Sequence, residues 1–238
     1  MREYAALTII CVVSAALAEL LHAAAHGAFP PEDGRTQVLG AVAGAPAAVL
    51  SFTAHHVVAA DLPAEEVLAR VDPEDLKGPL APAVLTWLAQ RTGLVAGSLD
   101  VLLAWVPERA VPAELEVRAG DPGDHPRVDR ARRWRRDLAL YEGTGGMVLL
   151  GRGLAGRLEL SVEVDPARRH RGLARRLAAA ALAAAAPQEP VYAQVAAANA
   201  ASLRALQPAG FAAVGAEVLF GPAEDFLRRW TDGQVAVS

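Results

Sequence analysis

The sequence predicts an α/β protein, an α+β mixed sheet with helices on its faces. Three observations carry that expectation. Hydrophobic types make up 53% of the 238 residues, ample for a buried core in one or two domains. Short runs of alternating apolar and polar residues recur between Gly/Pro turn signals, with helical periodicity interposed. From residue 114 onward the order of elements becomes regular, β-α-β-β-β-α-β-α-β-β.

Residues 1–34 read as an apolar helix followed by a loop. The run "YAALTIICVVSAALA", residues 4–18, has the character of a signal-peptide core with a cleavage site before Glu19. A helical pattern nevertheless crosses that point, placing Leu17, Leu20, Leu21, Ala24 and Ala25 on one face until Gly27 and Pro30-Pro31 stop it. One docked helix over about residues 4–26 accounts for both features, with a signal or anchor as the alternative.

Residues 35–110 read as a non-catalytic α/β region. "TQVLGAV" and "AAVLSFTAHHVVAA" are strand-like runs parted by a Gly-Ala-Pro turn. Helices are expected over Pro63–Arg70, with Glu65 and Glu66 in the first turn, and in "LAPAVLTWLAQRTG", which Pro82 opens and Gly93 closes. "SLDVLLAWV" is a further strand, and the proline-bearing stretch 107–114 is the domain boundary. The second domain, 114–222, then runs strand "ELEVRAG", helix "DHPRVDRARRWRRD" with an arginine-rich solvated face, and strands "LALYEGT", "GMVLLGR" and "GRLELSVEV". A helix from Gly172 to about Ala185, strand "PVYAQV", a helix from Asn199 to about Gln207, and strands "GFAAVG" and "AEVLFG" complete it, leaving 223–238 as a tail.

Charge and composition exclude several classes. A formal charge of −4 argues against a nucleic-acid binder, and Lys77 is the only lysine among the basic residues. A single cysteine, Cys11, excludes an intramolecular disulfide framework, and the histidines show no metal-ligand spacing; adjacent His55 and His56 would face opposite sides of a strand. No metal is expected.

The chemistry concentrates in "VEVDPARRHRGLARRL", residues 162–177. The preceding "LELSVEV" alternates, with Leu158, Leu160, Val162 and Val164 on one face and Glu159, Ser161 and Glu163 on the other. It stops at Asp165-Pro166. Arg169-His170-Arg171-Gly172-Leu173-Ala174 then leads into a helix whose apolar face is Ala174, Leu177, Ala178, Ala181 and Leu182. A strand, a glycine turn and a helix N-terminus present unpaired N–H groups and a favourable dipole to an anion, which makes this stretch a pyrophosphate cradle. One strand and one helix later comes "VYAQVAAANAASLRALQPAGF", in which Asn199 is a good N-cap and Gly210-Phe211 a good C-cap.

These two segments, in this order and spacing, resemble the GNAT superfamily of acyl-CoA-dependent N-acyltransferases. That family has an Arg/Gln-x-x-Gly-x-Gly/Ala turn after its fourth strand and an Asn-x-x-Ser/Ala helix ending in Gly-Phe. The resemblance covers residues 114–222 and implies the GNAT-like acyl-CoA N-acyltransferase fold; residues 35–110, which lack such a turn, are then a non-catalytic region or a degenerate GNAT-like half, and the arginines of 127–136 either solvate the outer face or draw an acidic acceptor or a nucleotide phosphate. It also implies an acetyl-CoA cosubstrate. Its pyrophosphate would lie on Arg169, His170, Arg171, Gly172, Leu173 and Ala174, its pantetheine along the main chain of Val162 and Val164, and Asn199 would face the slot between the splayed strands.

The implied activity is direct transfer of the acetyl group to a primary amine, on a small molecule, a peptide N-terminus or a lysine. Glu163 and Glu159 are the candidate bases, since a half-buried carboxylate with a raised pKa can take the ammonium proton. The family's tyrosine acid, seven residues after the asparagine, is replaced here by Leu206; Tyr192 and Tyr141 are the candidate substitutes. That replacement leaves a second reading open, an acyl-CoA-binding sensor or scaffold without useful turnover. Either reading implies a cytoplasmic setting, and the apolar N-terminal helix offers a surface for a homodimer.

Overall fold

The structure is a computed structural model and describes residues 2–227. In chain order its elements are α1 (Arg2–Ala25), β1 (Thr36–Leu39), β2 (Ala47–Ser51), β3 (His56–Ala59), α2 (Ala64–Leu68), α3 (Pro82–Thr92), β4 (Val95–Ala96), β5 (Asp100–Trp105) and β6 (Arg118–Gly120). Then come α4 (Pro126–Trp134), β7 (Arg136–Gly143), β8 (Gly146–Arg152), β9 (Leu158–Val164), α5 (Leu173–Ala185), β10 (Val191–Ala196), α6 (Ala200–Leu206), β11 (Ala212–Gly221) and α7 (Ala223–Leu227). The mixed α/β class expected from the sequence is the class observed. Of the tail expected over 223–238, residues 228–238 lie outside the described residues.

The chain divides into two compact units: residues up to Asp100 together with those from Gly215 onward, and Val101–Val214. In the first, β1 pairs parallel with β3, and β3, β2 and β11 pair antiparallel, with β4 added to β11. The expected single run 47–60 is a hairpin instead. Phe52 donates its N–H to the His55 carbonyl, and Ala54 takes a left-handed turn conformation, so the chain reverses between Ser51 and His56. Val67 of α2 and Val84 and Leu88 of α3 pack on Val49, Val58, Val218 and Phe220. α3 begins at Pro82, whose missing N–H costs nothing at a helix start, and closes on left-handed Gly93. α1 runs without a break through Ala18 and Glu19 and buries Leu17, Leu21, Ala24 and Ala25. Among the described residues, no helix is long and apolar enough to cross a membrane.

In the second unit the strand order is β5-β10-β9-β8-β7-β6. The strands from β6 to β9 form an antiparallel meander, and β10 joins β9 in parallel. The predicted apolar face of α5 is buried at Leu177, Ala178, Ala181 and Leu182, against Val148, Leu150 and Leu160. α4 lies on the other face, where Val128 and Ala131 meet Leu140 and Leu149. The alternation of β8 decides this: even-numbered side chains face α5 and odd-numbered ones face α4. The "GFAAVG" and "AEVLFG" runs are one continuous strand, β11.

One buried group of the first unit makes its stability sensitive to pH. His56 is fully buried beside Gly78, and neither ring nitrogen has a hydrogen-bond partner among the described residues. Burial, and then the charge of His55, hold its pKa below the ordinary 6.5 against the opposing pull of Asp33 and Asp75. The unfolded chain therefore takes up a proton below about pH 6.5 that the folded chain refuses, so stability falls as pH drops from that value toward the depressed folded one. Melting temperatures measured from about pH 7.5 down to about pH 5 should decline more steeply in the wild type than in His56→Gln. Equal slopes would show that the imidazole is not held neutral by the fold.

Candidate functional site

The site is organised by the way β9 parts from β10. Its parallel ladder with β10 comprises Val191 opposite Leu158 and Tyr192 opposite Glu159. On its other side β9 pairs with β8 along its full length, from Leu158 to Val164. Leu160–Val164 therefore keep one partner strand while their other edge is open, with no further register to β10 among the described residues. The Asp165 N–H donates to the Gly145 carbonyl. In an antiparallel ladder, hydrogen-bonded and non-hydrogen-bonded pairs alternate. Glu163 and Ser161 thus direct their backbone groups at β8, and Val162 and Val164 direct theirs at the open edge.

Because β9 and β10 are parallel, both of their C-terminal ends arrive at the same end of the sheet. β9 runs into a 3-10 turn at Pro166–Arg168, then extended Arg169, left-handed His170 and left-handed Gly172, the N-cap of α5. No side chain caps this helix, and His170, Arg171 and Gly172 are exposed. A Cβ at Gly172 would meet nothing within 4 Å, so the backbone there faces open space. The amides of the first turn of α5 lack intrahelical acceptors by construction. Amides so placed at a helix start are available to an anionic group. Arg169 turns back, its Nε donating to the Val164 carbonyl at 3.3 Å. Arg175 and Arg176 are engaged elsewhere, both reaching Glu114. β10 ends toward Asn199, whose Oδ1 accepts from the Ser202 N–H at 3.1 Å and caps α6.

The two candidate bases part company. Glu159 is 2% exposed, and its carboxylate accepts from Arg135 Nε at 2.7 Å, Arg157 Nε at 2.8 Å and Gln194 Nε2 at 3.3 Å. Gly153 makes room, because a Cβ there would overlap this carboxyl group. Burial alone would raise the Glu159 pKa; the charges of Arg157 and Arg135, with their hydrogen bonds, outweigh it and hold the carboxyl below its ordinary 4.5. The raised pKa expected of Glu159 is thereby corrected: it is a fixed anion at the last paired residue of the fork. Glu163 is different. Its side chain is 38% exposed at the open part of β9, with Arg127 Nε 3.8 Å away.

The arginine-rich helix is solvated at Arg130, Arg132 and Arg133, as expected, but Arg127 and Arg135 turn inward. His125 caps α4, its Nδ1 accepting from the Arg127 N–H. Arg127 then donates to the Val162 carbonyl at 2.8 Å, and Arg135 reaches Ser161 Oγ at 3.2 Å as well as Glu159. Sequence reasoning missed these two arginines, Arg157 and Gln194. A signal existed for one of them: Arg157 and Glu159 are two apart in a strand and so share a face. Of the candidate acids, Tyr192 is core, its ring beneath the Arg157 guanidinium and its phenol pushed well above the ordinary 10.0 by burial. Leu206 is buried on the opposite face of β10, in the cluster with Val191, Ala193 and Val195.

Glu159→Gln should cost about 3–5 kcal/mol, because it leaves two arginines in a buried site without their anion. The wild-type contribution is complete above the ordinary carboxyl value of 4.5 and is lost as pH falls toward the depressed folded value. Denaturation midpoints from about pH 7 to about pH 3 should show that acid limb in the wild type and a weaker one in the variant. A variant as stable as the wild type at neutral pH would rule out the clamp.

A family match covers the same region. Residues 141–211 match the model of the acetyltransferase (GNAT) family. No curated protein matches the sequence. Solved structures similar to this chain include a GCN5-related N-acetyltransferase from Kribbella flavida, at 17% identity and TM-score 0.39, covering 58% of this chain and 63% of that one. A GNAT-family acetyltransferase from Colwellia psychrerythraea is similar at 15% identity and TM-score 0.38, over 58% and 62% of the two chains. A GCN5-related N-acetyltransferase-like protein from Streptococcus suis is similar at 11% identity and TM-score 0.40, over 74% and 84%. The chain thus spans under two thirds of the length of the first two of these proteins. The matched segment runs from Tyr141 in β7 to Phe211 and so contains the open edge of β9, the Gly172 turn and Asn199: over residues 141–211 the chain is similar in sequence to the acetyltransferase (GNAT) family.

Proposed function

We propose that the protein transfers the acetyl group of acetyl-CoA to a primary amine. The observation that supports this most directly is the continuity of the open edge of β9 with the uncapped Gly172 turn. In this reading the amides of Arg171, Gly172, Leu173 and Ala174 hold the pyrophosphate, with Arg169 and His170 flanking it. The main-chain N–H groups of Val162 and Val164 hold the pantetheine at the open edge, and Asn199 borders the slot at the end of β10. Bound there, acetyl-CoA supplies a thioester carbonyl carbon for attack.

The chain's part is to position and to move protons. Glu163 takes the proton of the ammonium acceptor, directly or through water, and the amine nitrogen forms the new C–N bond. The C–S bond breaks, and the coenzyme leaves as a thiolate that gains a proton from solvent. Glu159 stays ionised throughout and positions the strand. Everything used lies within residues 101–214, so the scheme holds for a monomer or a homodimer alike. A cytoplasmic setting, where acetyl-CoA is at hand, goes with it.

One observation favours the sensor reading instead. The position of the family's tyrosine acid is the buried Leu206, and Tyr192 is locked in the core with its phenol proton held tightly. Binding and turnover therefore have to be measured separately. Acetyl-CoA at about a hundred times its Kd should stabilise the wild type by roughly 2.7 kcal/mol, a melting shift of several degrees. Gly172→Glu, which puts a carboxylate in the cradle, should lose the shift, whereas Glu163→Gln should keep it and lose roughly 100-fold in turnover of amines. A shift without turnover of any amine in the wild type would select the sensor. No shift at all would end both readings.

A further inference from the structure

The odd-numbered face of β9 carries more than a base. Glu159, Ser161 and Glu163 stand opposite Gly151, Leu149 and Met147 of β8, and Leu149 is buried against Val128 and Ala131 of α4. The polar residues of β9 therefore lie on the α4 side of the sheet, and two arginines from that side reach them. Arg135 is consumed at the closed end: its side chain is 10% exposed and it holds both Glu159 and Ser161. Arg127 stands at the open end, fastened to the Val162 carbonyl on the unpaired edge, with its Nε 3.8 Å from Glu163. Their side chains, Arg127 and Glu163, are 21% and 38% exposed. A fixed cation and a carboxylate thus stand side by side where the acceptor has to arrive.

That arrangement discriminates among amines. A simple alkylamine is an ammonium ion near neutral pH, so it is drawn to Glu163 and repelled by the adjacent guanidinium. A polyamine or a lysine side chain meets the same two charges and brings no anion for the guanidinium. An amine with its own carboxylate a few bonds away reverses the sign: its anion meets the planar fork of Arg127 while its ammonium meets Glu163. We infer that the acceptor is an amino-acid-like zwitterion and that Arg127 binds its carboxylate. This rests on the acetyl-transfer reading above and names the substrate class for the same site.

The test compares amino acids with their own carboxamides, together with a simple alkylamine and a polyamine, in wild type, Arg127→Gln and Arg127→Lys. In the wild type, kcat/KM should favour each acid over its amide by roughly 10- to 100-fold, the worth of a hydrogen bond to a charged group. Arg127→Gln should erase that preference through the KM of the acids, while the acetyl-CoA melting shift persists and reports a folded, cofactor-competent protein. Arg127→Lys should keep part of the preference. Wild-type rates that are equal for acids and amides, or a preference that survives in Arg127→Gln, would overturn the inference and leave acetyl transfer standing. Transfer to no amine at all would remove the acetyl-transfer reading and this inference with it.

Discussion

The Glu159 carboxylate sits at the last point where β9 and β10 are partners, and the geometry of the site depends on holding it there. An ionised carboxylate in a buried position is tolerated only when its lone pairs are met, and here two guanidiniums and an amide meet them. The three groups come from different places. Arg157 lies at the start of the same strand, Arg135 at the end of α4, and Gln194 in β10. One anion therefore ties the helix on one face to both strands just before they part. A parallel pair that stops early would otherwise leave unpaired backbone with nothing to fix its position.

That knot separates tasks along a single strand. At Glu159 the odd-numbered face of β9 is closed and charge-neutralised; at Glu163, four residues on, it is half open and stands beside Arg127. The even-numbered face is apolar throughout and seats α5, which fixes the helix that follows the Gly172 turn. Leu177 and Leu182 thus hold that turn in place through the helix they anchor. The same strand supplies the open backbone edge, the candidate base and the entry to the turn, so their relative placement requires no long-range coordination.

Local patterns made much of this legible in sequence. The alternation of "LELSVEV", the glycine before an amphipathic helix and the asparagine at a helix start are each decided within a few residues, and the structure has β9, α5 and α6 at those places. What sequence could not show was partnership at a distance. Glu159 and Glu163 look alike in the alternation, and partners far off in sequence, Arg135 24 residues upstream and Gln194 35 downstream, join Arg157 in making one a buried anchor. The arginines of α4 read as a solvated face because nothing in a helical pattern says that a strand carbonyl lies within reach of Arg127. The run 47–60 hid a hairpin because its turn residues, Thr53 and Ala54, are not strong turn formers, and Ala54 adopts its left-handed conformation only through the pairing on either side.

If the protein works as proposed, the open edge of β9 and the Gly172 turn form one continuous binding surface for an acyl-CoA. Amide hydrogen exchange, resolved by residue with and without acetyl-CoA, examines that surface directly. Ligand-induced protection is expected at the N–H groups of Val162, Val164 and residues 171–174 together, while Glu163 and Ser161, already bonded to β8, change little. Protection confined to another part of the chain, or absent from β9 while the turn alone responds, would contradict the proposal.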